Sequence, residues 1–126
     1  MSLYSFLVVE DSPTMRQLVT FSLKRIRNVK IVEATDGVDA LKKMSEEKFN
    51  LIIADINMPL MDGLKLLSII RKDPDSMAIP VIIVTTEGAE MDKEKGLKLG
   101  ANAYLTKPIQ TNVLLNKVKE LLHIED

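Results

Sequence analysis

The sequence predicts an α/β fold, in which a parallel β-sheet is covered by helices on both faces. Five short apolar runs alternate along the 126 residues with segments of helical periodicity, as in consecutive β-α pairs. The runs Leu51–Ala54 and Val81–Val84 are apolar at every position, which is typical of strands that are buried on both faces of a sheet. The length matches about one domain, so we predict a single domain that spans residues 1–126.

The individual elements follow from these two kinds of pattern. The predicted strands are Phe6–Val9, Lys30–Ala34, Leu51–Ala54, Val81–Val84 and Ala103–Leu105. In four of the other segments, side chains that share one face recur at helical spacing, at Met15, Leu18, Val19, Ser22 and Ile26, at Leu41 and Met44, at Gly63, Leu66, Leu67 and Ile70, and at Leu114, Val118, Leu121 and Leu122.

Three local signals predict where helices begin and end. Ser12 followed by Pro13 is typical of a helix N-cap with proline at the first helical position. Asp73-Pro74 ends the third helix, because a proline disfavours helical backbone in the residue before it. Gly100 follows the fourth helix and is predicted to be its C-cap glycine.

The composition argues against several classes of protein. A net charge of −1 provides no basic field for nucleic acid, and no apolar run approaches the ~18 residues of a transmembrane helix. The first residues lack the basic flank and apolar core of a secretion signal. Cysteine is absent, which excludes disulfides and thiol chemistry. We therefore expect a cytoplasmic protein that neither binds nucleic acid directly nor inserts into a membrane.

Acidic side chains follow two of the predicted strands, and a lysine follows a third. Asp55 closes the most apolar run, Glu10 and Asp11 follow the first strand, and Lys107 follows the fifth. A buried carboxylate is costly unless something offsets its charge. Because parallel strands end at the same edge of a sheet, we expect these groups to converge there. Three carboxylates around one point indicate a divalent cation with oxygen ligands, most naturally Mg²⁺.

Each of these residues also has a purely structural interpretation. Glu10 and Asp11 could simply begin a loop, Asp55 could cap a turn, and Lys107 could be an ordinary solvated lysine. Thr85 and Thr86 follow the fourth apolar run, where a hydroxyl could donate to a phosphoryl oxygen or merely reflect the strand propensity of threonine. Tyr104 could move between buried and exposed positions or remain a partly buried strand tyrosine.

Four segments at predicted strand ends form a combined pattern: Glu10-Asp11-Ser12; Asp55 with Met58-Pro59 and Asp62-Gly63 after it; Val84-Thr85-Thr86; and Tyr104-Leu105-Thr106-Lys107-Pro108. This pattern resembles the receiver domain of two-component response regulators, most closely the single-domain chemotaxis type, over essentially the whole chain. The resemblance implies a flavodoxin-like, doubly wound (βα)5 fold with five parallel strands in the order 2-1-3-4-5.

The resemblance also implies a phosphorylation site with a magnesium cofactor. Asp55 would accept a phosphoryl group from the phosphohistidine of a histidine kinase. Glu10 and Asp11 would hold Mg²⁺ together with Asp55 and the backbone carbonyl of Asn57. Glu10 departs from the aspartate that is commonest at its position, so its longer side chain could reach the metal through water.

The remaining roles that the resemblance implies belong to the switch. Thr85 and Lys107 would bind the acyl phosphate, and Tyr104 would follow Thr85 inward. The surface formed by the fourth helix, fifth strand and fifth helix would then change, and a downstream target protein would read it. Asn57 and Glu87 match the two positions that tune dephosphorylation in this family, and the pair resembles that of the fast-dephosphorylating chemotaxis regulators.

Three other functions are compatible with parts of the pattern. A small Mg²⁺-dependent phosphatase would want a second acid two residues after Asp55, where the chain has Asn57. A flavin or nucleotide carrier would want a glycine-rich or hydroxyl-rich loop after the first strand, where the chain has acidic residues. A transcriptional regulator would need a DNA-binding module, and none follows the fifth predicted helix in this sequence.

Overall fold

The computed structural model describes residues 3–86 and 90–124, of which residues 90–92 are described by their backbone alone. Five strands alternate with five helices along these residues. The strands are β1 (Tyr4–Val9), β2 (Val29–Ala34), β3 (Leu51–Asp55), β4 (Val81–Thr85) and β5 (Ala103–Thr106). The helices are α1 (Pro13–Leu23), α2 (Gly37–Glu46), α3 (Gly63–Lys72), α4 (Glu90–Lys98) and α5 (Thr111–Leu122).

All five strands are parallel and lie in the order β2-β1-β3-β4-β5, which confirms the predicted flavodoxin-like topology. The strand starts form one edge of the sheet, here called the amino edge, and the strand ends form the carboxyl edge. The register places Val9 beside Ala54, so Glu10 and Asp55 follow at neighbouring positions. Chain order reverses between β1 and β3, so the carboxyl edge has its crevice at these two strands.

The sheet separates two apolar layers because successive side chains of a strand point to opposite faces. Phe6, Val8, Leu51 and Ile53 face α1 and α5, where Leu23 and Leu114 join the same core. The other layer contains Leu7, Val9, Ile52, Ala54, Leu66, Leu67 and Ile70, from the strands and α3. Every residue of β3 and β4 is buried, as the unbroken apolar runs predicted.

The buried face of α1 differs from the prediction at one position. Leu18 was expected on that face, but its side chain is 40% exposed. Val19, Ser22 and Leu23 form the buried stripe of α1, and Ile26 continues it just beyond the end of the helix. This stripe has the i, i+3, i+4, i+7 spacing, and Leu18 lies about 100° away from its first member.

The predicted helix ends are confirmed by a hydrogen bond at the start of α1 and by backbone geometry at the ends of α3 and α4. The Ser12 hydroxyl accepts from the Met15 amide at 3.3 Å, and Pro13 is the first residue of α1. Asp73 is the C-cap residue of α3. Gly100 has a φ of 103°, which a side chain would disfavour, and it closes the end of α4. Each helix within the described ranges is too short or too polar to cross a lipid bilayer.

Candidate functional site

Three carboxylates meet at the crevice of the carboxyl edge. Glu10 and Asp11 follow β1, and Asp55 is the last residue of the neighbouring β3. One carboxylate oxygen from each lies within 4.8 Å of the other two. Glu10 and Asp55 are only 4% and 3% exposed, whereas Asp11 is open to solvent. The cluster therefore has two oxygens fixed in the protein and one exposed side from which a ligand can approach.

Lys107 places a positive charge against this cluster from the end of β5. Its Nζ lies 2.8 Å from Oδ2 of Asp55 and 3.3 Å from Oε1 of Glu10. Burial acts to lower the pKa of Lys107, but the hydrogen bond and the negative charge of Asp55, with those of Glu10, outweigh it and raise the pKa above its ordinary value. Lys107 therefore remains a cation beside Asp55 at neutral pH.

Glu10 is a carboxylate whose ionised form is disfavoured by its surroundings. Burial, together with the charge of Asp55, raises the pKa of Glu10 to about 7, although the Ser12 amide donates to its Oε2 at 3.1 Å and opposes the rise. The Glu10 carboxyl is therefore only partly ionised at neutral pH, and a bound cation would favour its ionised form. Oxygen-only donors with one open side suit Mg²⁺, which favours carboxylates and keeps several water ligands.

The loop after Asp55 is held close to its carboxylate. The Asn57 amide donates to Oδ1 of Asp55 at 3.2 Å, which leaves Oδ2 to Lys107. Gly63, the first residue of α3, approaches so closely that a Cβ there would collide with the backbone oxygen of Asp55. Only glycine fits at this position, and it lets α3 start directly beside the end of β3.

Thr85 contributes a buried hydroxyl at the end of β4. The residue is 2% exposed, and within residues 3–86 and 90–124 its Oγ1 has no hydrogen-bond partner. A buried hydroxyl without a partner costs free energy, so its position indicates a ligand that supplies an acceptor. Thr86 lies just beyond β4 and is exposed. Glu87, expected to tune dephosphorylation, lies outside the described residues.

Tyr104 lies on the same face of the sheet as Thr85. The parallel register pairs Tyr104 with Ile83, and Ile83 and Thr85 point to the same side of β4. The tyrosine is partly buried against the apolar layer of α3, and its phenolic oxygen is shielded from solvent. The arrangement makes Tyr104 a diagonal neighbour of Thr85.

Arg16 is a residue of the site that the sequence analysis missed. Its Nη1 donates to the backbone oxygen of Glu10 at 2.9 Å, and its Nε donates to Oε1 of Glu33 at 2.9 Å. Arg16 therefore fixes the loop that carries Glu10 and Asp11. The available signal was its place near the start of α1, where a cation opposes the helix dipole and calls for a negative or carbonyl partner.

Comparison with known proteins finds similar sequences and the same fold elsewhere. Residues 6–119 match the family model of the response regulator receiver domain. The chemotaxis protein CheY1 of Helicobacter pylori is 38% identical over 121 residues, which cover 95% of this chain and 98% of that protein.

Solved structures give the same result for the fold. The chemotaxis protein CheY4 of Vibrio cholerae has a TM-score of 0.87 at 31% identity, covering 95% of this chain and 99% of that one. A CheY-like response regulator receiver domain protein of Methanospirillum hungatei has a TM-score of 0.88 at 30% identity, covering 97% of this chain and 95% of that one.

Proposed function

The chain belongs to the response regulator receiver family, and from that premise we propose that it is a phosphorylation-dependent switch whose phosphoacceptor is Asp55. Members of this family are signalling proteins rather than turnover enzymes. The observation that carries the proposal is the convergence of three carboxylates with Lys107 at the end of β3. We further propose that residues 1–126 act as one receiver domain.

Magnesium is the proposed cofactor. The side chains of Glu10, Asp11 and Asp55 would hold it, together with the backbone carbonyl of Asn57. When bound, the metal would offset the negative charge of the carboxylates and of an incoming phosphoryl group. The exposure of Asp11 leaves a path for the ion, and the raised pKa of Glu10 indicates a site that gains from a cation.

Each of the other side chains at the site would contribute to the phosphoryl transfer. A carboxylate oxygen of Asp55 would form a bond to phosphorus while the phosphorus–nitrogen bond of a donor phosphohistidine breaks, leaving the imidazole with the electron pair. Lys107 pairs with Asp55 before the transfer and would pair with the phosphoryl oxygens after it. The Thr85 hydroxyl would donate a hydrogen bond to one of those phosphoryl oxygens. Positioning and charge stabilisation are the protein's main tasks in such a transfer.

The acyl phosphate would bias two conformations of the carboxyl edge. Movement of Thr85 toward the phosphoryl group changes the space beside Tyr104, which lies on the same face of the sheet. The surface of α4, β5 and α5 would change with it, and a downstream target protein would bind there. Exposed Thr86 is a second hydroxyl at this edge. A ligand shifts such a balance only through contacts that differ between the two states.

The pathway we propose is chemotaxis, with a histidine kinase as phosphodonor. Its support is the 38% identity with the chemotaxis protein of Helicobacter pylori, and a chemotaxis protein of Campylobacter jejuni is equally similar over 117 residues. Asn57 and Glu87 are the positions that would set the lifetime of the acyl phosphate. Cytoplasmic location is part of the same proposal.

The test is phosphorylation by a small donor. Incubation with Mg²⁺ and acetyl phosphate, followed by intact-mass measurement, should give one transient phosphoryl adduct. Asp55→Asn should abolish the adduct. Asp75→Asn, which changes an exposed aspartate near the amino edge, is the matched control and should keep it. An adduct that persists in Asp55→Asn, or its absence from the unaltered protein, would overturn the proposal.

A further inference from the structure

Helix α4 has an unusual glycine at the position where it meets the rest of the protein. Along residues 93–98, Gly96 is the only buried residue, and its neighbours Lys95 and Leu97 are exposed. Glycine in a helix interior weakens the helix relative to alanine, and α4 is otherwise strongly polar. Its presence at the one position of residues 93–98 that is buried therefore points to a space requirement.

The neighbour that needs this space is the ring of Tyr104. A Cβ at Gly96 would lie 3.2 Å from Cε2 and 3.4 Å from Cδ2 of that ring, and 3.7 Å from Cδ2 of Leu64. The contact with Cε2 is tighter than an ordinary van der Waals contact between carbon atoms, and the contact with Cδ2 is at the lower limit of that range. The backbone of α4 thus rests on the tyrosine ring, and a side chain at position 96 would compete with it.

We propose that Gly96 is a positioning residue that sets how far the ring of Tyr104 can enter beneath α4. A methyl group at position 96 would favour conformations in which the ring is displaced outward. The link from ring position to the phosphoryl site rests on the proposed function, in which Tyr104 and Thr85 move together. The contact between Gly96 and the ring is independent of that function.

The first experiment measures the ring alone. The chain has two tyrosines and no tryptophan, so Tyr4→Phe leaves Tyr104 as the only fluorescent side chain of its kind. In this background, Gly96→Ala should raise the acrylamide quenching of Tyr104 by about twofold or more, because the ring becomes more exposed. Lys95→Ala, on the exposed side of α4, is the matched control and should leave quenching unchanged.

Equal quenching in Gly96→Ala and Lys95→Ala would overturn the inference. It would mean that α4 moves away to accept the methyl group while the ring stays in place. Quenching would also be equal if alanine stabilised α4 and left the ring in place. Thermal unfolding of both variants is therefore measured together with the quenching. The outcome does not depend on any phosphoryl chemistry.

The second experiment connects the ring to the site. Fluoroberyllate with Mg²⁺, an analogue of a phosphoryl group, is titrated and its bound form is followed by ¹⁹F NMR. Gly96→Ala should weaken binding by about tenfold, which is the shift expected when an overpacking cost arises only with the ring in the inward position of the bound state. In a Tyr104→Ala background the same substitution should have no effect, because its partner is gone.

The two proposals fail in different ways. An equal loss of affinity with and without Tyr104 would overturn the role of Gly96 while leaving the phosphoryl site intact. Absence of fluoroberyllate binding by the unaltered protein would instead refute the proposed function, and the quenching experiment would still decide whether Gly96 positions the ring.

Discussion

At the amino edge of the sheet a partly buried arginine is surrounded by neutral acceptors, whereas at the carboxyl edge a lysine is held between carboxylates that repel each other. Arg71 donates from Nε to the backbone oxygen of Gly100 at 3.0 Å and from Nη1 to those of Met77 and Ile79. Its Nη2 donates to Oδ1 of Asn102 at 2.8 Å. One side chain thereby joins α3 to the two chain segments that enter β4 and β5.

The carboxyl edge also contains charged and polar side chains, but these are less completely paired. Glu10 and Asp55 are buried together, and the Thr85 hydroxyl has no partner within the described part of the chain. The two edges therefore have different roles. The polar groups around Arg71 at the amino edge are hydrogen-bonded within the fold, whereas the groups at the carboxyl edge are arranged to bind a ligand. Departures from local satisfaction are expected at functional sites.

The largest effect is expected from breaking the amino edge. Arg71→Met keeps the aliphatic stem but removes every donor from the surrounding carbonyl oxygens. We expect the free energy of unfolding, measured in urea, to fall by about 3 kcal/mol, because partly buried acceptors lose their partners. Lys72→Met, its exposed neighbour on α3, is the control and should change stability little.

The same variant tests whether the two edges are independent. At a temperature where Arg71→Met remains folded, the fraction of protein phosphorylated by acetyl phosphate should match that of the unaltered chain. A large loss of adduct in the folded variant would show that the amino edge also supports the site, and the comparison would fail.

A smaller effect, of opposite sign, is expected at the carboxyl edge. The pKa of Glu10 is raised to about 7 in the folded protein without metal, whereas the unfolded chain keeps the ordinary value near 4.5. Between these values the folded state binds more protons, so stability falls as the pH rises from about 4.5 to about 7. Glu10→Gln should remove this dependence and raise the metal-free free energy of unfolding at pH 8 by about 2 kcal/mol, less than the roughly 3 kcal/mol of the full shift, because glutamine has one acceptor oxygen where Glu10 has two.

Magnesium should reverse the order of the two proteins. At pH 8, added Mg²⁺ should stabilise the unaltered protein more than Glu10→Gln, because the variant lacks one carboxylate of the cluster. Glu46→Gln, which changes an exposed glutamate of α2, should follow the unaltered protein under both conditions. If the stability of the metal-free protein stayed constant from pH 5 to 8, Glu10 would not have the raised pKa in the folded state.

The sequence was sufficient to predict the carboxyl edge in outline. Unbroken apolar runs predict β3 and β4 because a parallel sheet covered on both faces needs apolar residues at every position. Parallel strands end at the same edge of a sheet, so the acids that follow β1 and β3 were expected to converge there. Periodicity and strand direction are enough for that expectation, whereas the adjacency of β1 and β3 came from the strand order that the family resemblance implied.

The features that escaped prediction depend on distances between segments. The place of Arg16 near the start of α1 indicates a need for a negative or carbonyl partner but does not identify the Glu10 carbonyl, and nothing near Gly96 in sequence indicates the ring of Tyr104. Leu18 was placed on the wrong face because adjacent residues of a helix differ by only about 100°, and the hydrophobic stripe of α1 is one position removed. Arg71 gave no signal, since its acceptors are mostly backbone oxygens.

The smallest effect tests whether the carboxyl edge also contains backbone strain. Leu60 lies in the loop after Asp55 with a φ of 68°, and the Met61 amide donates to the Pro59 oxygen across it at 2.7 Å. Its side chain is 83% exposed, so burial does not offset the cost of a positive φ at leucine. Leu60→Asn should raise the free energy of unfolding in urea by about 0.5–1 kcal/mol, because asparagine tolerates this conformation.

Leu97→Asn is the matched control for that gain. Leu97 is also an exposed leucine, at 50%, but it lies in α4, where asparagine has the lower helix propensity and should destabilise slightly. A gain at position 60 with a loss at position 97 would assign the effect to backbone conformation rather than to removal of exposed apolar surface. Equal changes at the two positions would remove Leu60 from the comparison, and the contrast between the edges would then rest on side-chain charge and hydrogen bonding alone.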